Sequence, residues 1–149
     1  MTKKLDPSYR PEFAVLNGEV VPFGEAKISI MAPGLTFAAT VFEGMRAYWN
    51  PDHEQLYVLH LQDHLERLEF SMRVIELESP PSIQEFTAQV IAGLRANNLR
   101  EDCYVRVQTY VDDWGEMIAT SPVGSSVICR ARPRVDAFAT GKHFAVSSW

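Results

Sequence analysis

Cys103, Val105, Val107, Thr109 and Val111 alternate with Tyr104, Arg106, Gln108 and Tyr110, and this period-two run is the clearest strand signal in the chain. Its second face is polar and aromatic where a solvated strand would carry Lys, Glu and Thr, which suggests a lined pocket. A second alternating run, Thr40 to Trp49, places Arg46 and Tyr48 on one side and Met45, Ala47 and Trp49 on the other, with Gly44 predicted as a kink. Asn50-Pro51-Asp52 breaks it and Leu56 to Leu59 returns, so residues 45–59 predict an antiparallel pair.

Phe13–Leu16 and Glu19–Val21 flank Asn17-Gly18, the dipeptide that tolerates the two positive φ angles of a type I′ turn, and predict a hairpin. Ala26, Ile28 and Ile30 alternate with Lys27 and Ser29 and predict a further strand, and Leu35 to Ala39 a compact connection. Leu61, Leu65, Leu68, Met72 and Ile75 recur at helical spacing, with His64, Arg67 and Ser71 on the flank and Pro80-Pro81 as the stop. Ser82-Ile83-Gln84-Glu85 is a capping box opening a second helix, whose buried face is Ile83, Phe86, Val90 and Leu94. Ser126 to Ala131 and His143 to Trp149 predict two more strands. The expected fold is therefore α+β: an antiparallel sheet of consecutive hairpins with two packed helices, over residues 13–149, preceded by an N-terminal arm at 1–12. Alternation that runs to Trp149 without a polar tail gives the expectation of a chain cut within its architecture.

Composition changes this picture little. With 149 residues, 46% hydrophobic and 22% charged, the chain can build its own core without staples. Cys103 and Cys129 sit in apolar runs and read as buried hydrophobes, not as a disulfide or metal ligands. A net charge of −5 without a basic block argues against nucleic acid as a partner, and no apolar run reaches bilayer length, so a cytoplasmic protein is expected. Common phosphate, metal and nucleophile signatures are absent: GxGxxG, a Walker loop, HExxH, CxxC and GxSxG. On local evidence Arg67 is an exposed i,i+4 partner of Asp63, and His64 a surface histidine without a role. Glu43 is either a buried acid with a tuned pKa or a cap for nearby amides.

Five stretches, taken in order, carry a resemblance: Asn17-Gly18-Glu19-Val20-Val21-Pro22; Val41-Phe42-Glu43-Gly44-Met45-Arg46-Ala47-Tyr48; His64-Leu65-Glu66-Arg67-Leu68; Tyr104-Val105-Arg106; and Val146-Ser147-Ser148-Trp149. From about Phe13 to Trp149 the chain resembles the N-terminal half of the branched-chain amino acid aminotransferases, class IV pyridoxal-phosphate enzymes of fold type IV. The resemblance implies that the chain is the small N-terminal domain of such an enzyme. Arg67 would hold the cofactor phosphate, which suits a planar, permanently charged donor. It further implies that Phe42 walls the pocket for an aliphatic side chain, that Tyr104 and Arg106 face the substrate, and that Arg106 serves the distal carboxylate of glutamate. Phe37 would reach across a homodimer interface and Ile118 would lie in the loop lent to the neighbouring subunit, and by the resemblance both count among the substrate-binding residues.

Three departures stand against the family pattern. Pro33-Gly34-Leu35-Thr36-Phe37 replaces a segment in which relatives carry a histidine and a tyrosine. Arg134-Val135-Asp136 replaces Trp-Gly and a pocket tyrosine. The Schiff-base lysine of relatives lies beyond the Ser-Ser-Trp match, and none of Lys3, Lys4, Lys27 and Lys142 stands in its context. The chain is thus expected to hold no catalytic lysine, to carry no covalently bound pyridoxal 5'-phosphate and have no appreciable activity alone, and to need a C-terminal domain. The implied substrates are amino acids and 2-oxo acids. D-amino acid aminotransferases and aminodeoxychorismate lyases share the fold and are the near alternatives, and a non-catalytic dimerising domain completed by a partner chain is the third. An exposed apolar face and poor solubility are expected where the absent domain would pack.

Overall fold

Two central residues with positive φ, Asn17 at 50° and Gly18 at 86°, turn β1 (Phe13–Leu16) back onto β2 (Glu19–Pro22), as the Asn-Gly signal predicts. The computed structural model describes residues 9–134. The predicted strand at 143–149, and most of the N-terminal arm, lie outside those residues. Asn17 also fastens the turn to the neighbouring strand region, its N–H donating to Ser125 O and its Oδ1 accepting from Ser125 N, both at 2.8 Å.

Residues 26–30 form no strand. Ile28 and Ile30 are 42% and 78% exposed, because alternation creates a strand only where a neighbouring edge completes its hydrogen bonds, and none does so here. The compact connection expected after them is in part a single helical turn, α1 (Pro33–Thr36), with proline in its first turn.

β3 (Thr40–Asn50) then runs through Gly44 without a break, so the predicted kink is absent. Asn50 Oδ1 accepts from the N–H groups of Asp52 and His53 and closes the turn into β4 (Gln55–Val58). α2 (Leu61–Val74) buries Leu65, Leu68 and Met72. It stops short of the Pro80-Pro81 expected to end it, and Ile75, at its cap, comes out 36% exposed. α3 (Ile83–Ala96) opens on the predicted capping box. Ser82 Oγ accepts from Glu85 N, and Ser82 N donates to Glu85 Oε2. Phe86, Val90 and Leu94 are buried, with Ile83 packed at the margin.

β5 (Cys103–Val111) and β6 (Val123–Ala131) complete a six-stranded antiparallel sheet in the order β2-β1-β6-β5-β3-β4. β6 begins three residues earlier than predicted. Each hairpin joins strands consecutive in sequence, as expected, but the hairpins interlock, β3 pairing with β5 and β1 with β6. Both helices pack on one face, over Val15, Met45, Ala47, Cys103, Val105, Val107, Val127 and Cys129. The other face is left to Phe42, Arg46, Tyr48, Tyr104, Arg106, Gln108, Ile128 and Arg130, and this division of the sheet positions everything that follows.

Candidate active site

Period-two alternation on three adjacent strands gathers the predicted substrate-facing residues on the face opposite α2 and α3. Phe42 pairs with Gln108, Gly44 with Arg106 and Arg46 with Tyr104, and on the next strand Arg106 pairs with Ile128 and Tyr104 with Arg130. The Arg106 guanidinium lies over the Phe42 ring, 4.5 Å from its centre, which brings an apolar wall and a permanent cation into contact. Arg106 Nε is buried and has no hydrogen-bond partner among the described residues. Tyr104 lies over Gly44, whose missing side chain makes room for the phenol: a methyl group there would collide with the hydroxyl and meet Cε2 and Cζ at 3.1 Å.

Four arginines that sequence reasoning left without a role join this face. Arg130 and Arg132 each stand 5.4 Å from the Tyr104 ring centre, and Arg46 and Arg134 stand 5.7 and 4.6 Å from that of Tyr48. Arg46 Nη2 donates to Arg132 O at 2.7 Å. Arg134 Nε donates to Asp102 Oδ2 at 2.9 Å, which ties this arginine to the sheet margin. Among the described residues no carboxylate pairs with Arg106, Arg130 or Arg132. The face is cationic and aromatic although the chain as a whole is acidic. Its signal was in the sequence, since residues 130, 132 and 134 share the parity of a strand, but its meaning depended on which strands lie side by side.

Behind β3, on the helix side, sits a second group. Glu43 is 5% exposed, and its carboxylate accepts from Arg67 Nε at 2.5 Å, from Arg67 Nη2 at 2.6 Å and from His64 Nδ1 at 2.9 Å. A carboxylate only accepts, so Nδ1 of His64 carries a proton. Burial pushes the Glu43 carboxyl up, but the hydrogen bonds and charge of Arg67 and His64 outweigh it and hold the group below the ordinary glutamate range. Contact with Glu43 raises the Arg67 guanidinium in turn.

The local expectation for Arg67 is corrected here: Asp63 takes the His60 ring, Nδ1 to Oδ2 at 2.8 Å, and Arg67 takes Glu43. The two readings of Glu43 resolve to a buried acid held by side chains. His64, to which no role was given, is its third contact. Spacing places His64 and Arg67 on one helix face, but their shared acid lies 21 and 24 residues away on a strand, beyond any helical rule.

Arg67 reaches Glu43 from the helix side of β3, and the Phe42–Tyr104–Arg106 group lies on its other side; Phe42 and Glu43 are neighbours in a stretch of β3 that has no β4 partner, since β4 pairs only with Ala47–Asn50. Phe37 caps α1 at 43% exposure, and Ile118 is 89% exposed in the connection from β5 to β6, beside Met117 at 70%. Two surface hollows lie elsewhere, one between α3 and the β1–β2 turn and one between α3 and the β4 edge, and neither includes a predicted site residue. Cys103 and Cys129 are free and buried, and burial pushes their thiols up to about 11 and about 12. Among the described residues no group of three side chains suits a metal ion, and no helix is long and apolar enough to cross a membrane.

The family model for class IV amino-transferases matches residues 40–143, and the chain belongs to that family. It is 41% identical over 106 residues to a probable branched-chain-amino-acid aminotransferase of Aquifex aeolicus, covering 71% of this chain and 34% of that protein. It is 32% identical over 155 residues to the branched-chain-amino-acid aminotransferase of Escherichia coli, covering 99% and 47%. Among solved structures, the branched-chain aminotransferase of Thermoproteus uzoniensis with norvaline superposes with a TM-score of 0.74 at 34% identity, covering 83% of this chain and 41% of that one. The PLP-form of the branched-chain amino acid aminotransferase from Thermobaculum terrenum gives 0.74 at 26%, covering 88% and 43%. The chain thus spans less than half the length of these relatives.

The family implies pyridoxal phosphate, and the donor chemistry of Arg67 fits its phosphate. Glu43 occupies Nε and Nη2, Nη1 makes no hydrogen bond among the described residues, and the side chain is 66% exposed. One edge of the fork is anchored and the other is available to an anion.

Proposed function

We propose that these residues form the phosphate grip and the substrate wall of a pyridoxal-phosphate-dependent aminotransferase that exchanges an amino group between an L-branched-chain amino acid and 2-oxoglutarate. The observation that carries this reading is the Arg106–Phe42 stack. Such an enzyme must accept an aliphatic side chain in one half-reaction and a carboxylate in the other at the same place. A ring carrying a guanidinium presents an apolar surface and a carboxylate donor side by side.

Pyridoxal phosphate, when bound, supplies the carbonyl that takes up the amino group and the ring that spreads the charge left on the substrate α-carbon. The chain's own residues bind and orient. Arg67 holds the phosphate through Nη1, Phe42 and Tyr104 wall the substrate side chain, and Arg106 turns toward its distal carboxylate. Phe37 and Ile118, both exposed, are assigned to the contact with a second subunit in a homodimer, and the cell compartment is the cytoplasm. Proton movement at the α-carbon needs an amine, and none of Lys3, Lys4, Lys27 and Lys142 stands in the family's lysine context. On this reading the 149 residues do not turn over alone and work with a lysine-bearing C-terminal half.

The test is to supply the chain with pyridoxal phosphate, leucine and 2-oxoglutarate and to measure glutamate, with and without a separately prepared lysine-bearing half. No glutamate alone and glutamate on mixing is the expected result. Turnover by the chain alone, or cofactor kept covalently on Lys27 or Lys142 after dialysis, overturns the reading. D-alanine accepted in place of leucine favours the D-amino acid aminotransferases of the same fold.

A further inference from the structure

An exposed arginine on a helix is a flexible partner for an anion, since its long side chain carries rotamer entropy that any ligand must freeze. Arg67 is 66% exposed, yet two of its three nitrogens are bound to one carboxylate, and that carboxylate is buried and stands on β3 where Glu43 pairs with Val107 of β5. Two parallel hydrogen bonds fix the plane of the guanidinium as well as its position. His64, one helical turn before Arg67, holds the same carboxylate oxygen as Arg67 Nη2, so Glu43 cannot rotate away without losing both partners.

The charges of this group make its purpose specific. Beside an arginine meant to attract a phosphate, a carboxylate is a Coulombic disadvantage, since it cancels the arginine's charge at a separation of 2.5 Å. Toward anion binding, such an acid can help only through geometry.

We propose that Glu43, braced by His64, is a positioning residue that presents Nη1 of Arg67 to the cofactor phosphate. This rests on the reading of Arg67 as the phosphate ligand. The alternatives differ in sign. If Glu43 acts on the anion only through charge, Glu43→Gln adds one unit of positive charge at the site and tightens phosphate binding. If it positions Arg67, the same change weakens binding, because an amide turns an N–H toward the guanidinium and cannot accept at both atoms.

The quantity to measure is the ratio of the dissociation constants of pyridoxamine and pyridoxamine phosphate, by titration calorimetry on the 149-residue chain, which isolates the contribution of the phosphate. A ratio lost in Arg67→Gln and reduced at least tenfold in Glu43→Gln is the expected result. A ratio lost in Arg67→Gln but unchanged or increased in Glu43→Gln overturns the positioning role and leaves Arg67 in place. A ratio near one in the unaltered chain, or one unaffected by Arg67→Gln, overturns the reading of Arg67 and this inference with it. Should Glu43→Gln not fold, nitrogen-15 relaxation of the arginine Nε groups in the unaltered chain decides instead. Arg67 Nε is expected to be as ordered as rigid backbone, with an order parameter of roughly 0.85, against below about 0.6 for a flexible group. An Arg67 as mobile as the exposed Arg73 and Arg95 sinks the proposal.

Discussion

Tyr104 lies across Gly44 on the neighbouring strand, its phenol occupying the space that any side chain at position 44 would need. The register places these residues on a diagonal, Gly44 opposite Arg106 and Tyr104 opposite Arg46, so the glycine is what lets the ring lie flat between two arginine-bearing positions. Gly44→Val is expected to destabilise the fold by about 1–3 kcal/mol through overpacking, even though valine suits a strand. In a Tyr104→Ser background the cost should shrink, and a double-mutant cycle of urea midpoints measures the coupling. Equal cost in both backgrounds would show that the ring is not what position 44 accommodates.

The Glu43 cluster predicts the direction of a pH effect. The carboxyl is held below the ordinary glutamate range in the folded protein by Arg67 and His64 against the opposing effect of burial, whereas the unfolded chain has no such partners. Its stabilising contribution is therefore complete above the unfolded value and is lost as pH falls through the lower, folded one. The stability difference between the unaltered chain and Glu43→Gln, followed by urea unfolding from about pH 7 to about pH 3, should shrink on acidification. A difference that grows toward low pH would contradict the arrangement.

Burial of both thiols predicts chemical silence. Cys103 and Cys129 are fully inside the sheet-helix layer, with thiols pushed up to about 11 and about 12, so little thiolate exists at neutral pH. Ellman's reagent should find almost no reactive thiol in the native chain and both in denaturant. Rapid native labelling of either would mean that α3 does not cover β5 and β6 as described.

The face assignment of α2 is open to a paired substitution. Leu68 is fully buried and Phe70, two positions on, is 60% exposed. Leu68→Ala is expected to cost about 2–5 kcal/mol. Phe70→Ala, the larger truncation, should stay within about 0.5 kcal/mol. Similar costs at the two positions would mean that another layer covers the outer face of this helix in solution.

Elements whose pattern is local were legible in the sequence alone. The alternation of Cys103 to Val111, the Asn17-Gly18 turn and the Ser82–Glu85 box each depend on neighbours a few residues away, and all three form as read. The α+β class and the grouping of Tyr104 with Arg106 followed from the same periodicity. Residues 26–30 failed because a strand exists through its partner, and no pattern within a segment says whether an edge is available to it.

What tertiary structure alone decided is which sides meet. Helical spacing offered Arg67 the exposed Asp63, yet the guanidinium chose Glu43, 24 residues away, because a buried carboxylate needs donors far more than a solvated one does. Likewise Phe42 and Arg106 became a single surface only when β3 paired with β5 in one register, since a slip of one residue would have turned Arg106 into the core. The sequence determined the elements and the faces they carry, because those follow from backbone period and local hydrogen bonding. Pairing across 21 to 86 residues, which builds both the Glu43 cluster and the arginine face, follows from the cost of burying charge and closing a sheet, and only the folded chain resolves it.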